Sequence, residues 1–289
     1  MTTTIDPTQI PQAKLHGYLL SAVAPRPICF ASTIDSKGNV NLSPFSFFNV
    51  FSSNPPIMIF SPARRGRDNT TKHTYENILE VKETVINIVN HAIVEQMSLS
   101  STEYGKGVNE FEKAGLTQVV STKVTPPRVA EAPVSFECVV DDVIPLGNAG
   151  GAGNLIIARV VLMHIQEHYL DANGNLDTEK LDLVARMGGS WYCRANGDAL
   201  FEIPKPLHTK GIGVDSLPKG IKESTILTGN NLGRLGNLEQ LSSAAEIEAA
   251  ASYYKGHSKS KLHEKAKEIL EVGDAQKALS ILLFAESLS

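Results

Sequence analysis

Pro27-Ile-Cys-Phe-Ala-Ser-Thr-Ile34, then Asp35-Ser-Lys-Gly-Asn39, then Val40-Asn-Leu-Ser43 is the stretch from which the fold is read. The first run is rich in β-branched and aromatic residues, the second in turn formers, and the third is again strand-like, so the three together predict a β-hairpin. Further strands follow outward from it. Residues 57–61 form a short apolar run between Pro55-Pro56 and Pro62, and residues 84–90 form another. Val134, Phe136, Cys138 and Val140 are spaced by polar neighbours, the period of a half-buried strand. Residues 155–166 make a long apolar strand that pairs with the preceding one across Gly147-Asn-Ala-Gly-Gly-Ala-Gly153. Helices are predicted at 75–82, 92–101 and 109–114. Strands and helices do not alternate regularly enough for a doubly wound parallel sheet, so the pattern predicts a mainly β, antiparallel barrel with interposed helices.

The texture changes near Ser224. Residues 238–254, 261–272 and 275–288 read as helices, with Gly273-Asp274 as stop and cap between the last two. The chain is therefore expected to hold a strand-rich domain at 1–223, ending in a connector at 204–222, and a helical C-terminal extension at 224–289.

Composition excludes several classes of function. With 27 Lys plus Arg against 31 Asp plus Glu, the net charge of −4 argues against a mainly electrostatic nucleic-acid binder. Cys29, Cys138 and Cys193 lie too far apart for a zinc knuckle or a disulfide framework. The start lacks the pattern of a secretory leader, and the longest apolar runs are about half a membrane span. A cytoplasmic protein without membrane or metal is expected. Local motifs also fail. The glycines at 147–153 lead into a β-type run and not a helix, so they read as a hairpin loop instead of a dinucleotide fingerprint. Asp171-Ala-Asn-Gly-Asn-Leu-Asp177 has its glycine at the wrong place for a calcium loop and reads as a surface turn.

Two segments carry chemistry. In Asn41-Leu-Ser-Pro-Phe-Ser-Phe-Phe-Asn-Val-Phe-Ser-Ser-Asn-Pro-Pro56, four phenylalanines alternate with small hydroxyls and amides. Flat rings beside small polar groups suit a flat heteroaromatic ligand, and a core-packing strand with turn residues is the plainer alternative. The second segment, Ser61-Pro-Ala-Arg-Arg-Gly-Arg67, precedes Lys72-His-Thr74 and the start of a helix. Arg64, Arg65, Arg67 and Lys72 beside a helix N-terminus suit one phosphate. A solvated arginine loop and Thr74 as a simple N-cap are the plainer readings. Together the two segments point to a nucleotide-like cofactor without a Rossmann fold.

In order and spacing the chain resembles the flavin reductase-like family. The resemblance rests on Pro25-Arg-Pro-Ile-Cys-Phe-Ala-Ser-Thr-Ile-Asp35, on Gly38 through Pro56, on Asn54-Pro55-Pro56, on Lys72-His-Thr-Tyr-Glu-Asn77 and on Arg186-Met-Gly-Gly-Ser-Trp-Tyr192. It covers residues 14–206 and leaves the helical tail outside. It implies a six-stranded antiparallel Greek-key split β-barrel, a homodimer, and bound FMN, with FAD as the alternative. Carried over by position, Asn41, Ser43, Ser46, Phe47, Phe48 and Asn49 would line the ring and ribityl chain. Ser61, Arg64, Lys72 and Thr74 would hold the phosphate. Tyr104-Gly-Lys106 resembles the family's loop that reaches towards the cofactor, and Arg186 and Tyr192 would lie near the site. His164 is the candidate for a nicotinamide contact, against the plainer reading of a satisfied histidine.

The function implied is hydride transfer from NADH or NADPH to flavin, and onward to a second flavin, oxygen or a partner monooxygenase or redox protein. No catalytic side chain is required, because the cofactor carries the chemistry. The alternatives are an FMN electron carrier that does not use nicotinamide, and a flavin-free split-barrel binding module.

Overall fold

The expected hairpin is present. β1 (Cys29–Ile34) pairs antiparallel with β2 (Val40–Phe45), with Ile34 opposite Val40 across the turn. Asp35 holds that turn by accepting from the backbone N–H groups of Lys37 and Asn39 at 2.9 Å each. The computed structural model describes residues 1–203 and 205–288; Pro204, at the head of the expected connector, and Ser289, at the end of the extension, lie outside the described residues.

The remaining strands are β3 (Phe48–Ser53), β4 (Pro56–Phe60), β5 (Glu83–Ile88), β6 (Gln118–Val119), β7 (Arg128–Val129), β8 (Val134–Pro145), β9 (Asn154–Ile165), β10 (Leu183–Arg186) and β11 (Tyr192–Ala195). Seven of them form one antiparallel sheet in the order β2-β1-β5-β8-β9-β4-β3. Its two edges, β2 and β3, are consecutive in the chain and separated only by Ser46 and Phe47. A flat sheet of this order would hold its edges about 29 Å apart. The connection from Phe45 to Phe48 reaches at most about 11 Å. The sheet must therefore curl round on itself. Six strands are expected from the sequence and seven are found, because residues 40–53 bend at Ser46-Phe47 into two strands that serve opposite edges. Register shifts at 137/138 and 140/142 in β8, and at 50/52 in β3, add local bend.

The inside of the curl is apolar. Cys29, Ala31, Phe45, Met58, Phe60, Ile86, Cys138, Val140, Ile156 and Ala158 form one buried cluster. Phe45 and Phe60 meet there with ring centroids 5.4 Å apart. Alternate residues of β1 and β2 point the other way, and Phe30 and Leu42 pack under α3 (Val94–Leu99) and α4 (Glu110–Ala114) through Met97 and Phe111. This is why β1 is buried on both faces.

α1 (Gln12–Ala22) has no buried residue. α2 (His73–Glu80) begins two residues before the expected start and inserts Ile78 into the inner cluster. A short α5 (Thr178–Leu181) precedes β10.

The chain divides into two units, Met1–Phe201 and Glu202–Ser289. The second holds α6 (Lys219–Lys222), α7 (Gly229–Gly236), α8 (Ala244–Tyr253), α9 (Lys259–Glu271) and α10 (Ala275–Ser287). It starts earlier than the change of texture at Ser224, because Leu217 and Ile221, in the expected connector, are buried with Leu262, Leu270, Leu279 and Leu282. α8 begins at Ala244 and not near 238, since Ser243 and Glu246 form a capping box. Gly273 takes φ +94° and Asp274 accepts from the Lys277 N–H at 3.0 Å, so the expected stop and cap are both present. Among the described residues no helix is long and apolar enough to cross a membrane.

Phe60 has no solvent exposure and fills the inside of the curled sheet. Phe60→Ala is expected to lower the unfolding free energy by about 3–5 kcal/mol in urea titration, the usual cost of a large buried aromatic.

Candidate functional site

α2 closes one end of the curled sheet through polar bonds as well as through Ile78. The Asn41 side-chain amide donates to Thr74 Oγ1 at 2.9 Å, and the Asn77 amide donates to Thr33 Oγ1 at 3.2 Å. All four residues are buried. The helix start is thus pinned against β2. Lys72 is the N-cap by backbone geometry, and no side chain caps the helix. Thr74 is two positions further in and serves β2, not the helix end.

Beside this helix start is a depression lined by Asn41, Ser43, Arg65, Lys72, His73 and Glu103. A second, sharing Asn41 and His73, is lined by Lys106. The cations here are unevenly compensated. Arg65 Nε lies 3.1 Å from Glu103, Arg67 also pairs with Glu103, and Lys106 Nζ lies 3.4 Å from Glu76. Lys72 has no carboxylate within ion-pair distance among the described residues. Burial pushes its ammonium pKa down, as do Arg65 and Arg67, while Glu103 acts in the opposite sense. His73 is lowered too, first by burial and then by Arg65, Lys106 and Lys72, against the opposing Glu76. Glu110 lies at the same depression and accepts from the Leu42 N–H at 2.9 Å. Burial raises its pKa. Lys72 is the half-buried cation here without a carboxylate partner among the described residues, and such a cation favours an anion in the space it faces.

The expected site residues fall into groups. Asn41, Ser43 and Lys72 line one depression, Lys106 lines its neighbour, and Thr74 lies beneath them. Ser46 and Arg186 come together through Arg26. The buried Arg26 guanidinium donates to Val23 O at 2.7 Å and Met187 O at 3.0 Å, and its Nε lies 3.4 Å from Ser46 Oγ. The backbone of Arg26 pairs with that of Arg186, whose guanidinium stacks on the Tyr192 ring at 4.7 Å. Phe47 is exposed at the bend, edge-to-face with the His16 ring at 6.3 Å between centroids, while Phe48 packs against the inner core. Asn49 is exposed and its side chain accepts from the Val50 N–H.

Ser61 and Arg64 belong to a third group. Ser61 N–H donates to Phe47 O at 2.9 Å, and the Arg64 guanidinium is held by Asn69 Oδ1 at 2.7 Å and Asn69 O at 2.6 Å. The glycine-rich stretch is a hairpin loop, as expected, and it packs on this segment. A Cβ on Gly150 would lie 3.1 Å from the carbonyl oxygens of Arg65 and Gly66, and one on Gly153 would lie 2.5 Å from Ser61 Oγ. Glycine suits position 150 because two backbones approach closely there, and position 153 because the Ser61 side chain does.

His164 stands apart from these groups. Its Nε2 is 2.7 Å from Oε1 of the fully buried Glu137, which also accepts from the N–H groups of Thr122 and Lys123. Burial pushes Glu137 up, but those N–H groups and His164 outweigh it and hold the carboxyl below its usual range.

Sequence reasoning left Arg26, His73, Glu103 and Glu110 out of the site. It placed Arg65 in the cationic cluster but named Arg64 for the phosphate. Arg26 had a signal in Pro25-Arg26-Pro27; Glu103 had none.

Residues 21–180 match the family model described as flavin reductase like domain. A protein of Aquifex aeolicus is 39% identical over 189 residues, covering 65% of this chain and 94% of the relative. Among solved structures, nitrilotriacetate monooxygenase component B from Bacillus cereus matches with TM-score 0.66 and 29% identity, over 70% of this chain and 99% of that one. The 2-nitrobenzoate 2-nitroreductase of Pseudomonas fluorescens matches with TM-score 0.61 and 26% identity, over 72% and 100%. With its curled antiparallel sheet and cationic rim, the chain belongs to the flavin reductase-like family.

Proposed function

We propose that the chain binds FMN with its phosphate at the sheet rim beside the start of α2, and reduces it with NADH or NADPH. The observation that carries this reading is Lys72, a half-buried ammonium with no carboxylate at ion-pair distance among the described residues, set beside Arg65, His73 and an uncapped helix start. A single terminal phosphate supplies the missing charge, which favours FMN over FAD. The chemistry supplied by the bound flavin is acceptance of a hydride from reduced nicotinamide and release of the electrons to an acceptor. The side chains bind and orient. Lys72 and Arg65 hold the phosphate, and Asn41 and Ser43 line its approach. Ser46, Phe47, Phe48 and Asn49 flank the ring and ribityl chain. Arg26 fixes Ser46 and the 186–192 turn relative to each other. Arg64, Ser61 and the glycine loop support the segment that presents Arg65. Thr74 acts through Asn41 and is a positioning residue. We assign His164 to the loop at 122–123 more than to nicotinamide.

We further propose the six-stranded Greek-key split barrel, with residues 40–53 as one bent strand shared by both edges, and a homodimer working in the cytoplasm. The dimer reading is supported by uncovered apolar surface: Tyr18, Leu19 and Val23 of α1 and its C-cap, and Val50 and Phe51 of β3. The likeness to a monooxygenase component supports an oxygenase partner as acceptor.

Lys72→Ala is expected to weaken FMN binding about 10- to 100-fold in fluorescence titration, the order of one charge-assisted contact. Its melting temperature should not fall, since among the described residues the Lys72 ammonium has no ion-pair or hydrogen-bond partner to lose. Anaerobic stopped flow with NADH and with NADPH tests the activity. Bleaching of the flavin absorbance by one of them is expected, whereas no bleaching by either makes the chain an electron-transfer flavoprotein. Light scattering should report a dimer, and Val50→Asp with Phe51→Asp should shift it to monomer.

A further inference from the structure

The Glu103 carboxylate bridges two guanidinium groups of the arginine segment. Oε1 lies 3.1 Å from Arg65 Nε, and Oε2 pairs with Arg67. Arg65 has little freedom to move away from it. Its side chain is only 15% exposed, and its Nη1 donates to Thr70 Oγ1 at 2.9 Å and to Thr71 O. That leaves Nε and Nη2 as the donors Arg65 can offer to the depression, and Glu103 holds Nε. Carboxylate and phosphate oxygens use the same guanidinium N–H groups. A phosphate that takes the Nε edge of Arg65 must therefore displace Glu103.

We infer that Glu103 is a built-in competitor for the flavin phosphate, lowering affinity for the phosphorylated flavin while leaving unphosphorylated flavin unaffected. The inference rests on the phosphate site proposed above and concerns the regulation of that site. Glu103 lies in the same depression as Lys72 and partly offsets its charge. It is also partly exposed, so it can swing into water when displaced. A site of this design holds a phosphorylated flavin firmly enough to orient it and loosely enough to exchange it. This suits a flavin that leaves for a partner after reduction.

The test compares FMN with riboflavin, which lacks the phosphate, on the full chain and on Glu103→Gln. Glu103→Gln is expected to tighten FMN about two- to fivefold, the worth of a partly exposed ion pair, and to leave riboflavin affinity unchanged. If Glu103 only ties two loops together, both flavins weaken or both stay unchanged, and the inference falls. Lys72→Ala in the same titration separates the two levels. If it leaves the FMN-to-riboflavin ratio unchanged, the phosphate site itself is misplaced. If it lowers that ratio while Glu103→Gln does not raise it, only the competitor role is overturned.

Discussion

The bend at Ser46-Phe47 is the constraint on which the rest of the first unit depends. Two residues join the opposite edges of a seven-stranded sheet, so the sheet has to close around Phe45, Phe60 and Ile86. Closure gives the sheet an open end, and α2 fills it. Ile78 makes the apolar part of that plug, and Asn41, Thr74, Thr33 and Asn77 make the polar part. The same bonds fix where the helix begins. A helix start and β2 are therefore held side by side at the rim, and the bend itself lies where Phe47 and Ser46 leave the core.

Electrostatics at the rim follow from this packing. α2 brings Lys72 and His73 to β2, and the segment after β4 brings Arg65 to the same place. Lys72 and Arg65 share a half-buried space in which, among the described residues, only Arg65 has a carboxylate partner, and His73 beside them is pushed towards its neutral form. Burial and mutual repulsion lower the pKa of Lys72 and of His73. An incoming phosphate relieves that repulsion, and a protein carboxylate can relieve it in part, which is the position Glu103 occupies. The net charge of the whole chain carries no information about a field on this scale.

Arg26 plays a comparable part on the other side of the bend. It is a buried cation satisfied by carbonyl groups, not by an acid, with acceptors from the end of α1 and from Met187. Burial lowers its pKa, and Arg186 adds to the effect. Carbonyls at a helix C-terminus suit a cation, since their dipoles point negative ends at it. Through Ser46 it couples the 186–192 turn to the bend, two regions that carried the family motifs.

Local order was legible in the residues themselves. The strand at 134–140, turn formers at 35–39, the glycine hairpin loop and the Gly273-Asp274 cap all depend on neighbours within a few positions, and each stands where it was expected; the strand is not half-buried as its alternation suggests, because Ser135 and Glu137 on its polar face are buried too. The motifs likewise marked the family. α1 went unread because its apolar residues are not buried and leave no amphipathic pattern. The split of 40–53 into two strands went unread because only sheet closure breaks it. Residues far apart in sequence had to wait for the tertiary structure. Of three arginines in one loop, only packing selects Arg65 for the depression with Lys72, and its partner Glu103 is 38 positions away. Thr74, a plausible cap by position, bonds to Asn41, 33 positions back. His164 is claimed by Glu137 across the β8–β9 pair. By itself the sequence determined which elements form and which chemistry they carry, because those follow from short-range periodicity and residue type. Only the tertiary structure decided which side chains share a site, because charge compensation and burial are properties of a closed sheet and not of a segment.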